Sequence, residues 1–258
     1  MVARGGRRLF NLGAFYRSLL RAYGPQGWWP ARTRFEVVVG AILTQNISWV
    51  RVEQALRNLR RGGFLSYKTM SRASHARLTR MLRPAGYYNQ KAHRILGFLR
   101  VIRAEYDGRL ENLLRQPAGR LRRRLLAITG VGPETADAIV LYAAGHPVFV
   151  IDAYTRRVLA RHGVIRGDEP YEQVQRLMEN GCAGEEPDPV GRARMFNEYH
   201  ALLVRVAKER CLKRVAHCDG CPLEEFLPHR AVLLPPPPCT VRRTTSRCGR
   251  RPSGIMEI

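Results

Sequence analysis

The sequence predicts an all-α fold, and three observations carry that prediction. Apolar residues recur three and four apart, as in Leu121, Leu125 and Ile128, and again in Ala136, Ile139, Val140 and Ala143. These two stripes flank Thr129-Gly130-Val131-Gly132-Pro133, which reads as a helix, a Gly-Val-Gly hairpin and a second helix. Pro133 fits the first turn of that second helix, where its missing N–H would have no partner anyway. The other apolar runs have the same helical period and are cut by glycine and proline. A chain of 258 residues with 45% hydrophobic residues suits one compact unit or two small lobes with a real core.

The elements follow in order. Residues 10–23 form a helix with Phe10, Leu12, Phe15, Leu19 and Leu20 apolar, ended by Gly24-Pro25-Gln26-Gly27. Trp28-Trp29-Pro30 then lie in a loop, where two adjacent indoles either plug the core or wall a ligand. Residues 35–43 are a buried helix ended by Thr44-Gln45-Asn46, and Trp49 opens the next, to residue 59. Thr44 or Asn46 suits a cap, which leaves Gln45 exposed. Residues 78–82 are a short helix, and 84–92 a loop containing Gly86-Tyr87. Residues 92–106 form a helix closed by Asp107-Gly108. After the hairpin, Gly145 and Pro147 stop the second helix, and residues 148–151 are apolar and extended. Asp152 caps a helix over 153–162. Further helices cover 169–180 and 193–210, the latter leading into closely spaced cysteines. Past Pro228 the pattern dissolves into four prolines and a basic tail, read as disordered. The segments are thus 1–33, 34–145, 146–228 and 229–258.

Charge narrows the partner. Lys and Arg number 44 against 21 Asp and Glu, a net +23, which points to a polyanion. Only Lys68, Lys91, Lys208 and Lys213 are lysine, so the excess is arginine, the better phosphate ligand. No apolar run reaches membrane-spanning length, and the basic N-terminus lacks a signal core, so a cytoplasmic protein without a membrane partner is expected. The hairpin is either an ordinary turn or a sequence-independent phosphate site, since glycines admit close backbone approach and the second helix offers free amides. Cys211-x6-Cys218-x2-Cys221 has the spacing of a metal or cluster site rather than of disulfides.

Taken together, Gly130, Val131, Gly132, Thr135, Ala136, Asp152 and Arg156 resemble the signature of the helix–hairpin–helix DNA glycosylases, the endonuclease III superfamily, over about residues 10–223. The resemblance implies a two-lobed fold, and double-stranded DNA with a damaged base as partner of a monomeric, nucleoid-associated repair enzyme. It implies that Gly130, Val131, Gly132 and Thr135 grip DNA, that Gln45 fills the hole left by an extruded nucleotide, and that Tyr87 wedges into the duplex. Asp152 matches the carboxylate that stabilises the sugar cation. The bifunctional members carry a lysine two residues beyond the last hairpin glycine; here that residue is Glu134, which implies a monofunctional enzyme.

Trp28, Trp29, Pro30, Trp49 and Glu134 are similar to the 3-methyladenine DNA glycosylase branch, where aromatics sandwich an alkylated purine, with Lys208 set near that pocket. The family's [4Fe-4S] cluster implies Cys211, Cys218 and Cys221 as ligands. Its fourth position is Leu227 here, so Cys239 becomes the candidate fourth ligand, and zinc with His217 is the other option. Two other functions stay open: a glycosylase/lyase for oxidised pyrimidines, and a non-catalytic DNA-binding protein that kept the hairpin.

Overall fold

The computed structural model of the protein describes residues 11–228. The basic tail and Cys239 lie outside them. Twelve α-helices occur among the described residues: α1 (Leu12–Tyr23), α2 (Arg34–Leu43), α3 (Trp49–Arg61), α4 (Tyr67–Met70), α5 (His75–Leu82) and α6 (Tyr88–Tyr106) come first. There follow α7 (Leu110–Leu114), α8 (Ala118–Leu126), α9 (Pro133–Ala138), α10 (Ala153–Arg161), α11 (Tyr171–Gly181) and α12 (Pro189–Glu209). A π-helical turn, Ile139–Ala143, prolongs α9. The fold is all-α among the described residues. Helices α2 to α9 pack around one another, α10 packs on α12, and α1 returns to pack on α11 and α12. A continuous apolar core runs through both groups, with Phe149 meeting Phe196 and Tyr199 edge-on.

Local chemistry sets the helix ends. Asn11 Oδ1 accepts from Ala14 N at 2.9 Å and starts α1, and Thr33 Oγ1 accepts from Glu36 N at 3.1 Å and starts α2. Several helices begin away from the expected residues: α1 begins at Leu12 instead of residue 10, and α5 at His75 instead of 78, where Ser74 Oγ caps Arg77 N at 3.2 Å. α6 begins at Tyr88, four residues early, because Tyr87 takes a left-handed backbone (φ 45°) that turns straight into the helix. α12 begins at Pro189, because Asp188 Oδ2 caps Gly191 N at 2.7 Å and proline suits the first turn. α11 begins at Tyr171 instead of residue 169. The Glu169 carboxylate is spent on the loop, accepting from Arg166 N (2.7 Å) and Gly167 N (2.8 Å).

Residues 148–151 are extended and have no strand beside them; α11 supplies their hydrogen bonds instead. Phe149 N donates to Glu179 Oε1 at 2.9 Å, Gln175 Nε2 donates to Phe149 O at 2.8 Å, and Ile151 N donates to the Tyr171 hydroxyl at 3.2 Å. These bonds matter because the segment is buried and an unpaired backbone group there is costly. Gln175 Nε2 also donates to Asp137 Oδ2 at 2.8 Å. Asp137, fully buried on α9, accepts from Arg122 of α8 at 2.7 and 3.2 Å. One carboxylate therefore ties both hairpin helices to α11.

Removing that carboxylate takes the buried partner from the Arg122 guanidinium and one of two acceptors from the Gln175 amide. Asp137→Ala is expected to lose about 3–5 kcal/mol of stability in urea unfolding. Glu53→Ala, which breaks the exposed pair with Arg57, is expected to lose less than about 0.5 kcal/mol. Equal losses in the two variants would show that Asp137 is no structural hub.

Candidate active site and DNA interface

The hairpin is built to be tight. Gly130 has φ +84°, and a Cβ there would lie 2.6 Å from Arg94 Nε, so only glycine fits. Val131 is buried and its amide donates to Ile128 O at 3.0 Å, so it serves the turn's own packing. Gly132 is exposed, and no atom lies within 4 Å of where its Cβ would be. Gln45 reaches the hairpin: its Nε2 donates to Gly130 O at 2.9 Å and to Thr135 Oγ1 at 2.8 Å, and its Oε1 accepts from Arg94. In this structure Gln45 is thus neither simply exposed nor free; its amide braces the hairpin.

Tyr87 stands beside this group. A Cβ on the preceding Gly86 would lie 3.5 Å from Ile47, so the Gln45 loop and the Tyr87 loop adjoin. Tyr87 is 65% exposed, among the most exposed large apolar side chains described. Its loop is clamped from below by buried Lys91, whose ammonium donates to Ala85 O at 2.7 Å. Burial, then the nearby Arg94 charge, pushes that ammonium down to about 8.

Asp152 ends the extended segment and opens α10. Its two oxygens have separate partners. Oδ1 accepts from Thr155 N at 2.7 Å, the helix cap. Oδ2 lies 3.6 Å from His200 Nε2 of α12. Burial alone would raise the Asp152 pKa, but the His200 imidazole and the Thr155 bonds outweigh it and hold the carboxyl below its ordinary value. His200 Nδ1 bonds the Tyr142 hydroxyl at 2.6 Å, and His200 Nε2 has no hydrogen-bond partner. Tyr142 and His200 were not among the sequence candidates. The one signal is a histidine on the buried face of α12, among Phe196, Tyr199, Leu202 and Leu203.

The aromatic residues gather next to this pair. Trp29 lies 5.1 Å from Tyr142 between ring centroids, and Trp28, Trp29 and Trp49 lie 5.0–5.3 Å from one another. The buried indole N–H groups of Trp28 and Trp29 have no acceptor. The three indoles touch, so a base cannot sit between two of them without parting them, since intercalation needs about 7 Å, twice the ~3.4 Å base rise. Pro30 is exposed at the end of the tryptophan loop. Lys208 is exposed, with its ammonium 5.6 Å from the Tyr154 ring, two residues after Asp152.

Glu134, on the first turn of α9, keeps an exposed face but sits in a recess. That burial, then the Asp152 charge, pushes its carboxyl up to about 7, partly offset by His200. Two carboxylates thus share the site with unlike proton affinities, one held ionised and one poised near neutrality.

The cysteines lie apart from this site. Cys211 is buried, with Arg161 Nη1 at 3.2 Å from its sulfur, and Cys218 and Cys221 are partly exposed on the loop that follows. Among the described residues no group of three or more metal-ligating side chains is placed to hold an ion, and Leu227 is apolar where a fourth thiolate would stand. The described residues do not by themselves complete a four-thiolate set.

Glu134 gives a pH test. Its folded pKa, about 7, lies above the ordinary 4.5, so the folded protein holds the extra proton between those values. Its contribution to stability is full below about 4.5 and is lost as pH rises through about 7. Against Glu134→Gln, wild-type stability is expected to fall across that window. A difference in urea midpoint that stays constant with pH would contradict this environment for Glu134.

Comparison with known proteins places this arrangement. A family model described as HhH-GPD superfamily base excision DNA repair protein matches residues 39–183, more than half of the chain. A protein of Methanocaldococcus jannaschii assigned to the DNA repair glycosylases is 42% identical over 213 residues, covering 82% of this chain and 93% of that one. The crystal structure of the H. pylori 3-methyladenine DNA glycosylase bound to 1,N6-ethenoadenine matches with a TM-score of 0.68 and 27% identity, over 78% of this chain and 98% of that one. A non-covalent endonuclease III–DNA complex matches with a TM-score of 0.69 at 19% identity, over 85% of this chain and 95% of that one, a likeness of fold. The chain belongs to the HhH-GPD superfamily of base excision DNA repair proteins and is a DNA glycosylase of that superfamily.

Proposed function

We propose that the protein is a monofunctional DNA glycosylase that releases alkylated purines, of which 3-methyladenine is the model, from double-stranded DNA and leaves an abasic site. The observation that carries this reading is Glu134 beside Asp152, where a lyase needs an amine. A carboxylate forms no imine with the sugar, so water is the nucleophile. The C1′–N bond breaks, and the base leaves with the electron pair. Positive charge builds on the sugar, facing Asp152 Oδ2. Water then adds to C1′ and gives up one proton to solvent. A cationic alkylated purine departs as a neutral base, so the site needs no strong acid to drive it out.

The aromatic group supplies recognition. Trp28, Trp29, Trp49 and Tyr142 offer π faces to a cationic ring, and the two unpaired indole N–H groups offer donors to it. Pro30 and Lys208 flank that pocket in this reading. The amide of Gly132 and the first-turn amides of Glu134 and Thr135 hold a phosphate, and Tyr87 fills the stack on extrusion. For Gln45 to enter the duplex it must release the hairpin, which its three hydrogen bonds oppose. His200 orients Asp152 through Oδ2.

The test is base release from duplexes carrying single defined lesions, with borohydride present in parallel. The expected result is release of alkylated adenine with no covalent protein–DNA adduct. Release of oxidised pyrimidine with a trapped adduct would establish the glycosylase/lyase alternative. No release of any base would leave only a DNA-binding role.

A [4Fe-4S] cluster on Cys211, Cys218 and Cys221 forms part of the same proposal and requires Cys239 as its fourth ligand. When bound, the cluster supplies structure to the loop after α12. Protein purified without oxygen is expected to be brown and to contain iron, and Cys239→Ser to lose it. Folded, colourless, iron-free wild-type protein would overturn the cluster.

A further inference from the structure

A cavity of about 630 Å³ opens among α4, α5 and α6, and its lining includes neither Asp152 nor a hairpin residue. Arg72, Arg100 and Arg103 line it, with His75 and His93, over an apolar floor of Tyr67, Leu96 and Leu99. The arginines come from separate elements: Arg72 follows α4, and Arg100 and Arg103 stand on α6. None of the three makes an ion pair among the described residues. The sequence explains why: from residue 54 to residue 104 there is no aspartate or glutamate, against 12 lysines and arginines.

The histidines add a second feature. His75 Nε2 and His93 Nδ1 lie 3.0 Å apart, and both nitrogens lie against the Asn89 carbonyl, at 3.4 and 2.9 Å. Two imidazoles at this spacing suit a metal ion on geometry alone. Three guanidinium groups lining the same cavity repel a cation, and no carboxylate is present to offset them. Gathering like charge without a counter-charge is unfavourable, and an anion in the cavity reverses that cost. Guanidinium forks favour phosphate oxygens, and the apolar floor accommodates what the phosphate is attached to.

We infer that this cavity is a second phosphate-binding site, separate from the hairpin, which takes a phosphate either of the nucleic-acid backbone or of a small phosphate ester. Arg100 lies about 20 Å along α6 from Tyr87, at 1.5 Å per residue. A backbone phosphate held there therefore belongs to DNA well away from the lesion.

The experiment uses the full chain saturated with a lesion-analogue duplex of about one helical turn, which occupies the hairpin face. Sodium pyrophosphate is titrated into that complex at low salt by calorimetry. Arg100→Gln/Arg103→Gln, at exposed positions where folding is preserved, is the comparison, and thermal melting checks its fold. Pyrophosphate is expected to bind wild type and to bind the variant about tenfold more weakly, with base release from the short duplex unchanged. If pyrophosphate does not bind, but the variant loses about tenfold affinity for a duplex of roughly three turns and none for the short one, the site holds and its ligand is the DNA backbone. If the variant matches wild type on pyrophosphate and on both duplexes, the cavity is a solvated cluster of arginines and the inference is overturned.

Discussion

The structure depends on satisfying one buried, extended stretch of backbone. Residues 149–151 are buried with no strand beside them among the described residues, so their backbone groups need partners within the protein. Glu179, Gln175 and Tyr171, spaced along one face of α11, provide the partners. The same Gln175 bonds Asp137, which bonds Arg122. The helix that anchors the extended segment is therefore also the helix that fixes the hairpin. One set of hydrogen bonds places the proposed DNA grip and the proposed catalytic carboxylate in one frame.

That frame lets one side chain do two jobs. Asp152 closes the extended segment and caps α10 with Oδ1, while Oδ2 stays at the site facing His200. A carboxylate in this surrounding would normally take up a proton. The Thr155 amide and the imidazole keep it ionised, which is the state that stabilises a developing sugar cation. Glu134 lacks such donors, so burial first, and then the Asp152 charge, push the neighbouring carboxylate the other way. Environment, not residue type, separates the two acids.

Much of this was legible in the chain. The hairpin helices, the extended segment and the Asp152 cap followed from periodicity, glycine placement and capping chemistry. Helix starts were less legible where a side chain decided them, as Asp188 does for α12 and Glu169 does before α11. His200 and Tyr142 give no local signal: they stand 58 residues apart in the chain, and only the fold pairs them beside Asp152. From the sequence, Gln45 is expected to be exposed or to reach DNA. Its bonds to Gly130 and Thr135 span 85 and 90 residues, a pairing local patterns do not encode. The three tryptophans were visible as candidates, but their mutual contact was not.

The central claim is that Asp152 Oδ2 carries the chemistry while Oδ1 carries the fold. Asp152→Asn separates the two, because asparagine still caps α10 and costs the fold at most about 1 kcal/mol. The decisive measurement is single-turnover base release by this variant, beside its affinity for a duplex with an abasic-site analogue. The account predicts release slowed about a hundredfold or more, with affinity unchanged. A release rate within about threefold of wild type, a change well below 1 kcal/mol, would reduce Asp152 to a helix cap.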